Sequence, residues 1–330
     1  MRKVLVTGGL GYIGSHTIVK LVENGYYVVI LDNLSNSDIV VFDKLKKIVN
    51  HNIRIYVGDV NDSDIIEKIF IENKIDSIIH FASLKSVNES IYKSLDYYYN
   101  NVSGTINLLK NMEKYDIKNI IFSSSCTVYG EPEIYPVTEE TKLKEPLTPY
   151  GKTKSMCEKI IESNLNINSV ILRYFNPIGN HKSGIIYENP KGMSENLLPY
   201  IIGVINKKYE FLKVFGDDYD THDGTAIRDY IDVNDLSNAH LKSLDLVGKK
   251  RFDVFNVGTG KGYSVMDIIN EFKKNGYDIP YKIYSRRDGD IEKIWADIEK
   301  SKNVLGWTPI YTLSDSIKSI ITSIENNVDK

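Results

Sequence analysis

Residues 3–16 read KVLVTGGLGYIGSH, a short apolar run that leads into a glycine-rich turn in which Gly8, Gly11 and Gly14 stand three positions apart. A strand that stops on such a turn and opens a helix is the first unit of a dinucleotide-binding fold. The first glycine permits the tight turn, the second lets backbone approach a pyrophosphate, and the third lets the helix lie close to the sheet. The amides at the helix start hold a diphosphate without needing a lysine. The next apolar run, YVVIL (27–31), leads into Asp32, 18 residues beyond Gly14. A carboxylate there accepts hydrogen bonds from ribose hydroxyls and repels a 2′-phosphate, so the expected cofactor is NAD rather than NADP. Asp59, closing the run YVGDV, is placed to contact adenine.

The rhythm set by that first unit continues. Candidate strands KVLVT (3–7), YVVIL (27–31), IRIYV (53–57), DSIIHF (76–81), KNIIFS (118–123) and SVILRY (169–174) alternate with longer stretches of helical apolar spacing. Strands that are almost wholly apolar are buried on both faces, as in a parallel sheet covered by helices. The expected class is α/β, a Rossmann-type doubly wound parallel sheet, with a smaller α/β substrate-binding domain over its carboxyl edge. After Phe175 the rhythm breaks into loops, NPIGNHKSG and then YENPKGM, before FDVFNVG (252–258) reads as a strand rejoining the sheet. The expected division is 1–174 with 229–258 for the cofactor domain, and 175–228 with 259–330 for the substrate domain.

Composition excludes several classes. A net charge of −3 with scattered lysines gives no footprint for nucleic acid. The apolar run before Thr7 and its glycines is only three residues long, too short for a signal peptide, and nothing resembles a membrane span. Two cysteines without a C-x-x-C, and six dispersed histidines, argue against a disulfide framework or a metal site. A cytoplasmic, metal-free protein is the plain expectation.

Residues 148–154, TPYGKTK, set Tyr150 and Lys154 four apart, a pattern repeated at Tyr187/Lys191 and Tyr209/Lys213. Position separates the first pair from the others. Pro149 suits a first helical turn and Thr148 can cap it. The strand before it runs out into SSSCTVYG (123–130), so its hydroxyls sit at the sheet's carboxyl edge, where ligands bind in this architecture. A free tyrosine titrates near 10, so ionising it at pH 7 takes roughly 4 kcal/mol. One cation about 4 Å away, at an effective dielectric of about 20, supplies roughly that much. Tyr150 is therefore the expected base, Lys154 its modulator, and Ser125 the partner of the same substrate hydroxyl.

The stretches TGGLGYIGSHT, LDNLSNS, HFASLKSVNES, NNVSGT, SSSCTVYG, TPYGKTK, LRYFNPIG, DGTAIRDYIDV and RRDGDIEKIWAD follow one another along nearly the whole chain. Together they resemble the extended short-chain dehydrogenase/reductase superfamily, and within it the UDP-glucose 4-epimerase family. The resemblance implies a homodimer that holds NAD firmly and inverts C4 of the sugar in UDP-galactose and UDP-glucose. It also implies a cofactor site of Gly8, Gly11, Tyr12, Ile13, Gly14, Asp32, Asn33, Leu34, Ser35, Asn36, Ser37, Asp59, Val60, Phe81, Ala82, Ser83, Lys85, Asn100, Ser125, Tyr150, Lys154 and Phe175. Ser125, Thr127, Tyr150, Asn176, Asn196, Leu197, Val214, Phe215, Arg228, Arg287, Asp290 and Ile294 would hold the UDP-sugar, with the two arginines on the diphosphate, which suits their planar fork of donors.

Two positions depart from the pattern the resemblance implies. Ser83 stands where relatives usually carry glycine. Ile294 stands where relatives restricted to plain hexoses carry tyrosine and those accepting N-acetylhexosamines carry a small residue, so a weaker side activity on UDP-N-acetylhexosamines is expected. Three other activities share the scaffold. A sugar-nucleotide dehydratase needs a general acid and base where Cys126 and Thr127 stand. A plain dehydrogenase would accumulate NADH with product. A non-catalytic NAD-binding sensor would be expected to have lost Tyr150, Lys154 or Ser125. For assembly, Tyr98, Tyr99 and Met156 are apolar surface beyond what one buried face needs, suited to a helical seam with a second subunit.

Overall fold

Seven strands form one all-parallel sheet: β1 (Lys3–Thr7), β2 (Tyr27–Asp32), β3 (Arg54–Val57), β4 (Ser77–His80), β5 (Asn119–Ser125), β6 (Asn168–Tyr174) and β7 (Phe252–Val257). The computed structural model describes residues 1–49, 53–191 and 196–328. The spatial order is β7-β6-β5-β4-β1-β2-β3. Six of these strands follow the expected runs, and β7 rejoins the sheet beside β6 as its apolar pattern suggested. The chain reverses direction of travel at β1, whose neighbours are β2 and β4. That switch point leaves a crevice at the carboxyl ends of the strands.

Alternation within β1 explains why both faces are covered. Val4 and Val6 join a core with Ile18, Leu21 and Leu236 from the helices Tyr12–Glu23 and Val233–Leu246. Leu5 faces the other way, into a core with Ile66, Leu108 and Ile161 from Ser63–Glu72, Gly104–Lys114 and Pro149–Ser163. A third core lies outside the sheet. Ile201, Ile268, Phe272 and Ile317 pack the helices Leu197–Ile205, Val265–Lys274 and Leu313–Val328 beneath the paired strands Leu212–Phe215 and Tyr281–Tyr284. The loop expected over 187–193 is described as far as Lys191; Gly192 and Met193 lie outside the described residues.

A buried ion pair ties the Pro149–Ser163 helix to the sheet. Arg173 on β6 donates from Nε (3.0 Å) and Nη2 (2.7 Å) to Glu158, and the same carboxylate accepts from Ser124 on β5. Arg173 Nη1 donates to the Tyr129 hydroxyl at 3.2 Å, which itself donates to Asn256 on β7. Both charges are about 6% exposed, so each depends on the other for its solvation.

Candidate active site

A cavity of about 1150 Å³ opens along the carboxyl ends of the strands and continues under the third core. Its floor at one end is the glycine turn. Gly8 has φ +66°, and a β-carbon on it would meet Ala82 N at 2.8 Å. A β-carbon on Gly14 would meet Gly8 O at 2.5 Å, so helix and turn touch only because both residues are glycine. Gly11 begins the Tyr12–Glu23 helix with no side-chain cap, leaving its first-turn amides available to an anion. Asp32 lines the same end; its Oδ2 accepts from Leu10 N (2.9 Å), and its Oδ1 from Leu34 N (2.9 Å) and Ser37 Oγ (2.7 Å). A glycine cradle, uncapped amides and an oriented carboxylate in one groove fit the diphosphate and ribose of NAD.

Most of the expected cofactor residues line this cavity: Tyr12, Ile13, Asn33, Ser35, Asn36, Val60, Phe81, Ser83, Lys85, Asn100 and Phe175 are all on its wall. Two stand back from it. Asp59 accepts from Asn33 Nδ2 (2.7 Å) and Asn61 N (2.8 Å), and Leu34 contributes backbone to the Asp32 network. Burial works against the Asp59 carboxylate, but hydrogen bonds from Asn61 and Asn33 outweigh it and hold the group below its ordinary range. Asn33, which holds Asp59, does line the wall. The Ser83 hydroxyl is turned to the Leu84 carbonyl at 3.0 Å.

Tyr150, Lys154 and Ser125 come together midway along the cavity. Thr148 caps the helix by accepting from Gly151 N at 3.4 Å, and one turn separates Tyr150 from Lys154 on the face turned to β5. Lys154 Nζ donates to Ser123 O at 2.9 Å and lies 5.8 Å from the Tyr150 ring centroid. Thr127 donates to Ser125 Oγ from both its amide (3.2 Å) and its hydroxyl (3.0 Å), which orients the serine. Burial raises the Tyr150 phenol well above its usual value, only partly opposed by its hydrogen bond to Ser125. Burial likewise lowers Lys154 to about 8, with Cys157 and Glu158 pulling it back up in part. This corrects the expectation that the lysine alone nearly ionises the tyrosine: desolvation, which the sequence does not reveal, opposes both charges.

At the far end Arg228 and Ile294 sit side by side in adjacent strands, Ile227–Arg228 and Lys293–Ile294. Arg228 is braced on backbone, donating to Ile227 O (2.8 Å) and Ile291 O (2.6 Å). Arg287 pairs with Asp290 at 2.8 Å and lies over the Phe215 ring, 4.6 Å from its centroid. Asn176, Asn196, Leu197, Val214 and Thr127 complete the wall. Ile294 is 1% exposed and packs with Cys126, Val128 and Phe175. The Cys126 thiol is pushed up to about 12, chiefly by burial, so positions 126 and 127 offer a neutral thiol and a hydroxyl.

Residues 5–320 match the family described as GDP-mannose 4,6 dehydratase. A UDP-glucose 4-epimerase of Pasteurella multocida (strain Pm70) is 47% identical over 321 residues, covering 96% of this chain and 95% of that protein. The chain belongs to the UDP-glucose 4-epimerase family. A solved UDP-glucose 4-epimerase from Bifidobacterium longum, in complex with NAD+ and UDP, superposes with a TM-score of 0.96 at 44% identity, covering 99% of each chain. The UDP-Glc/GlcNAc 4-epimerase of Campylobacter jejuni gives 0.84 at 35% identity, over 99% of this chain and 100% of that one.

Beyond the residues expected of an epimerase, the cavity also presents Tyr174, Tyr187, Glu188 and Lys191. Tyr174 was legible in principle, since it pairs in register with Ser125 at the end of β6. Tyr187 and Lys191 form the second Y-x-x-x-K pair, set aside for its position in the sequence and for Pro190 between the two. They do not join Tyr150, but the loop that carries them closes one side of the epimerase cavity.

Proposed function

We propose that this chain is an isomerase that interconverts UDP-galactose and UDP-glucose by transient oxidation at C4, with NAD as its resident cofactor. One observation carries the reading: a single cavity joins the glycine turn, the Tyr150–Lys154–Ser125 trio and the Arg228–Arg287 pair. NAD, held by the glycine turn and Asp32, would supply the redox chemistry by accepting a hydride from C4 and returning it. Tyr150 accepts the proton of the C4 hydroxyl while Ser125 holds the same oxygen by a hydrogen bond. Lys154 supports the phenolate, and because burial favours the neutral phenol, the tyrosine readily holds the proton for return. Arg228 and Arg287 anchor the diphosphate, while Ile294 and Phe175 offer the hexose an apolar wall against which the ketone can turn.

A dehydratase is not favoured, because Cys126 and Thr127 provide no carboxyl pair to remove water. Incubation with UDP-galactose deuterated at C4 tests the reaction. The expected product is UDP-glucose with the label retained, without accumulation of NADH. Loss of deuterium to solvent would refute hydride return. We take Ile294 to set the sugar range, with UDP-N-acetylgalactosamine turned over more slowly than UDP-galactose, since an aliphatic side chain replaces an aromatic ring there.

The chain is taken to act as a cytoplasmic homodimer, with domain bounds as the sequence suggests. Tyr99 is 66% and Met156 43% exposed, and their helical segments pack together, with Tyr92 and Leu95 exposed nearby. Burying that face against a second copy would build the seam. Sedimentation as a dimer at micromolar concentration is the expected result. Among the described residues, no helix is long and apolar enough to cross a membrane.

A further inference from the structure

An enzyme that oxidises its substrate and then reduces it again has to keep ketone and reduced cofactor together for the whole cycle. The chain carries a device suited to that task in a place the cofactor motifs do not reach. Residues 186–191 run across the cofactor end of the cavity, opposite the loop that follows β2. Tyr187, Glu188 and Pro190 also line a second cavity of about 330 Å³ on the segment's other side. The segment is thus a thin partition with open space on both faces, and contacts at its edges hold it down.

Those edge contacts all go to residues around the expected dinucleotide site. Glu188, whose side chain is 12% exposed, receives the Lys85 ammonium at 2.8 Å. Lys191 donates from Nζ to Leu34 O at 2.7 Å, and from its amide to Asn36 Oδ1 at 3.2 Å. The Lys44 ammonium lies over the Tyr187 ring, 4.6 Å from its centroid. Lys85 and Asn36 belong to the cofactor wall, so the strap fastens onto the groove it covers.

We propose that Glu188 and Lys191 are the clasps of a cofactor-retaining strap, which must unfasten before NAD can leave. The proposal rests on the reading of this cavity as the NAD site. An ammonium has three donors, so Lys85 can hold Glu188 and still offer a proton to the cofactor. Lifting the segment breaks one charge-assisted bond at Glu188 and two bonds at Lys191. The clasps thereby couple the substrate domain, where the strap originates, to the residence time of the cofactor.

The test uses holoenzyme loaded with radiolabelled NAD and chased with unlabelled NAD, without sugar nucleotide. Partly exposed bonds of this kind change a rate by a few-fold each, so Glu188→Gln with Lys191→Ala together should speed release by about tenfold. Lys182→Gln, an exposed change outside the cavity wall, should leave release as in the wild type. Raising the salt from about 0.05 M to about 0.5 M should hasten release from the wild type more than from Glu188→Gln, because the ion pair is screened. Release from the double variant within about twofold of wild type would overturn the strap while leaving the cofactor site intact. A wild type that takes up no label would overturn the cofactor reading and the strap with it.

Discussion

Replacing Lys154 by methionine should stabilise the fold near neutral pH while abolishing the chemistry. Lys154 is 3% exposed, and burial lowers its pKa from 10.5 to about 8. The unfolded chain keeps that proton up to about 10.5, so between about 8 and 10.5 it binds more protons than the folded one, and stability rises with pH through that window. Below about 8 the full cost of burying the charge is present. With 10.5 − 8 = 2.5, at ~1.4 kcal/mol per pH unit, that cost is about 3 kcal/mol. Methionine matches the lysine stem but loses the 2.9 Å bond from Nζ to Ser123 O, a loss of about 1 kcal/mol. Lys154→Met should therefore be more stable than wild type by about 2 kcal/mol at pH 7, and less stable by about 1 kcal/mol near pH 11. Urea unfolding of nucleotide-free protein at the two pH values measures the difference, and turnover of UDP-galactose confirms the lost activity. A methionine variant less stable at pH 7, or a difference that does not move with pH, would refute the reasoning.

Other outcomes follow from the same geometry. Tyr150→Phe should lower turnover by at least about a hundredfold, the scale of a lost general base, with NAD still bound by its absorbance. Glu158→Gln leaves the Arg173 guanidinium buried with a neutral partner and should cost about 3–5 kcal/mol in urea unfolding, much of it regained in Glu158→Leu/Arg173→Met. Ile294→Tyr should remove activity on UDP-N-acetylgalactosamine and spare UDP-galactose, as read by separating the sugar nucleotides. If the wild type lacks the N-acetyl activity and Ile294→Cys does not create it, another residue sets the range.

The sheet was legible because most of its strands read as short, nearly continuous apolar runs separated by longer stretches of helical spacing. Val4, Leu5 and Val6 alternate between two cores, and the sequence records both as one unbroken run. The glycine turn was equally plain, since Gly8 and Gly14 answer to close approaches that any side chain would block. What escaped was everything set by tertiary proximity. The pairing of Glu158 with Arg173 joins a helix to a strand 15 residues on, with no local pattern to announce it. Burial reversed the electrostatics expected of Tyr150 and Lys154, because desolvation depends on neighbours that arrive from β5 and β6. The strap was missed for the same reason: Glu188 and Lys85 stand 103 positions apart.

Asp32 bears on how readily this chain could change its cofactor. Three of the roughly four lone-pair positions on its carboxylate are already taken by Leu10 N, Leu34 N and Ser37 Oγ. The residue expected to turn away a 2′-phosphate is also the knot that ties the glycine turn to the loop after β2. A substitution that welcomed the phosphate would at once set three donors adrift and loosen both rims of the groove. If Asp32 sets the preference for NAD, that preference is built into the architecture of the cleft, and a change toward NADP would have to rebuild two loops along with the one residue.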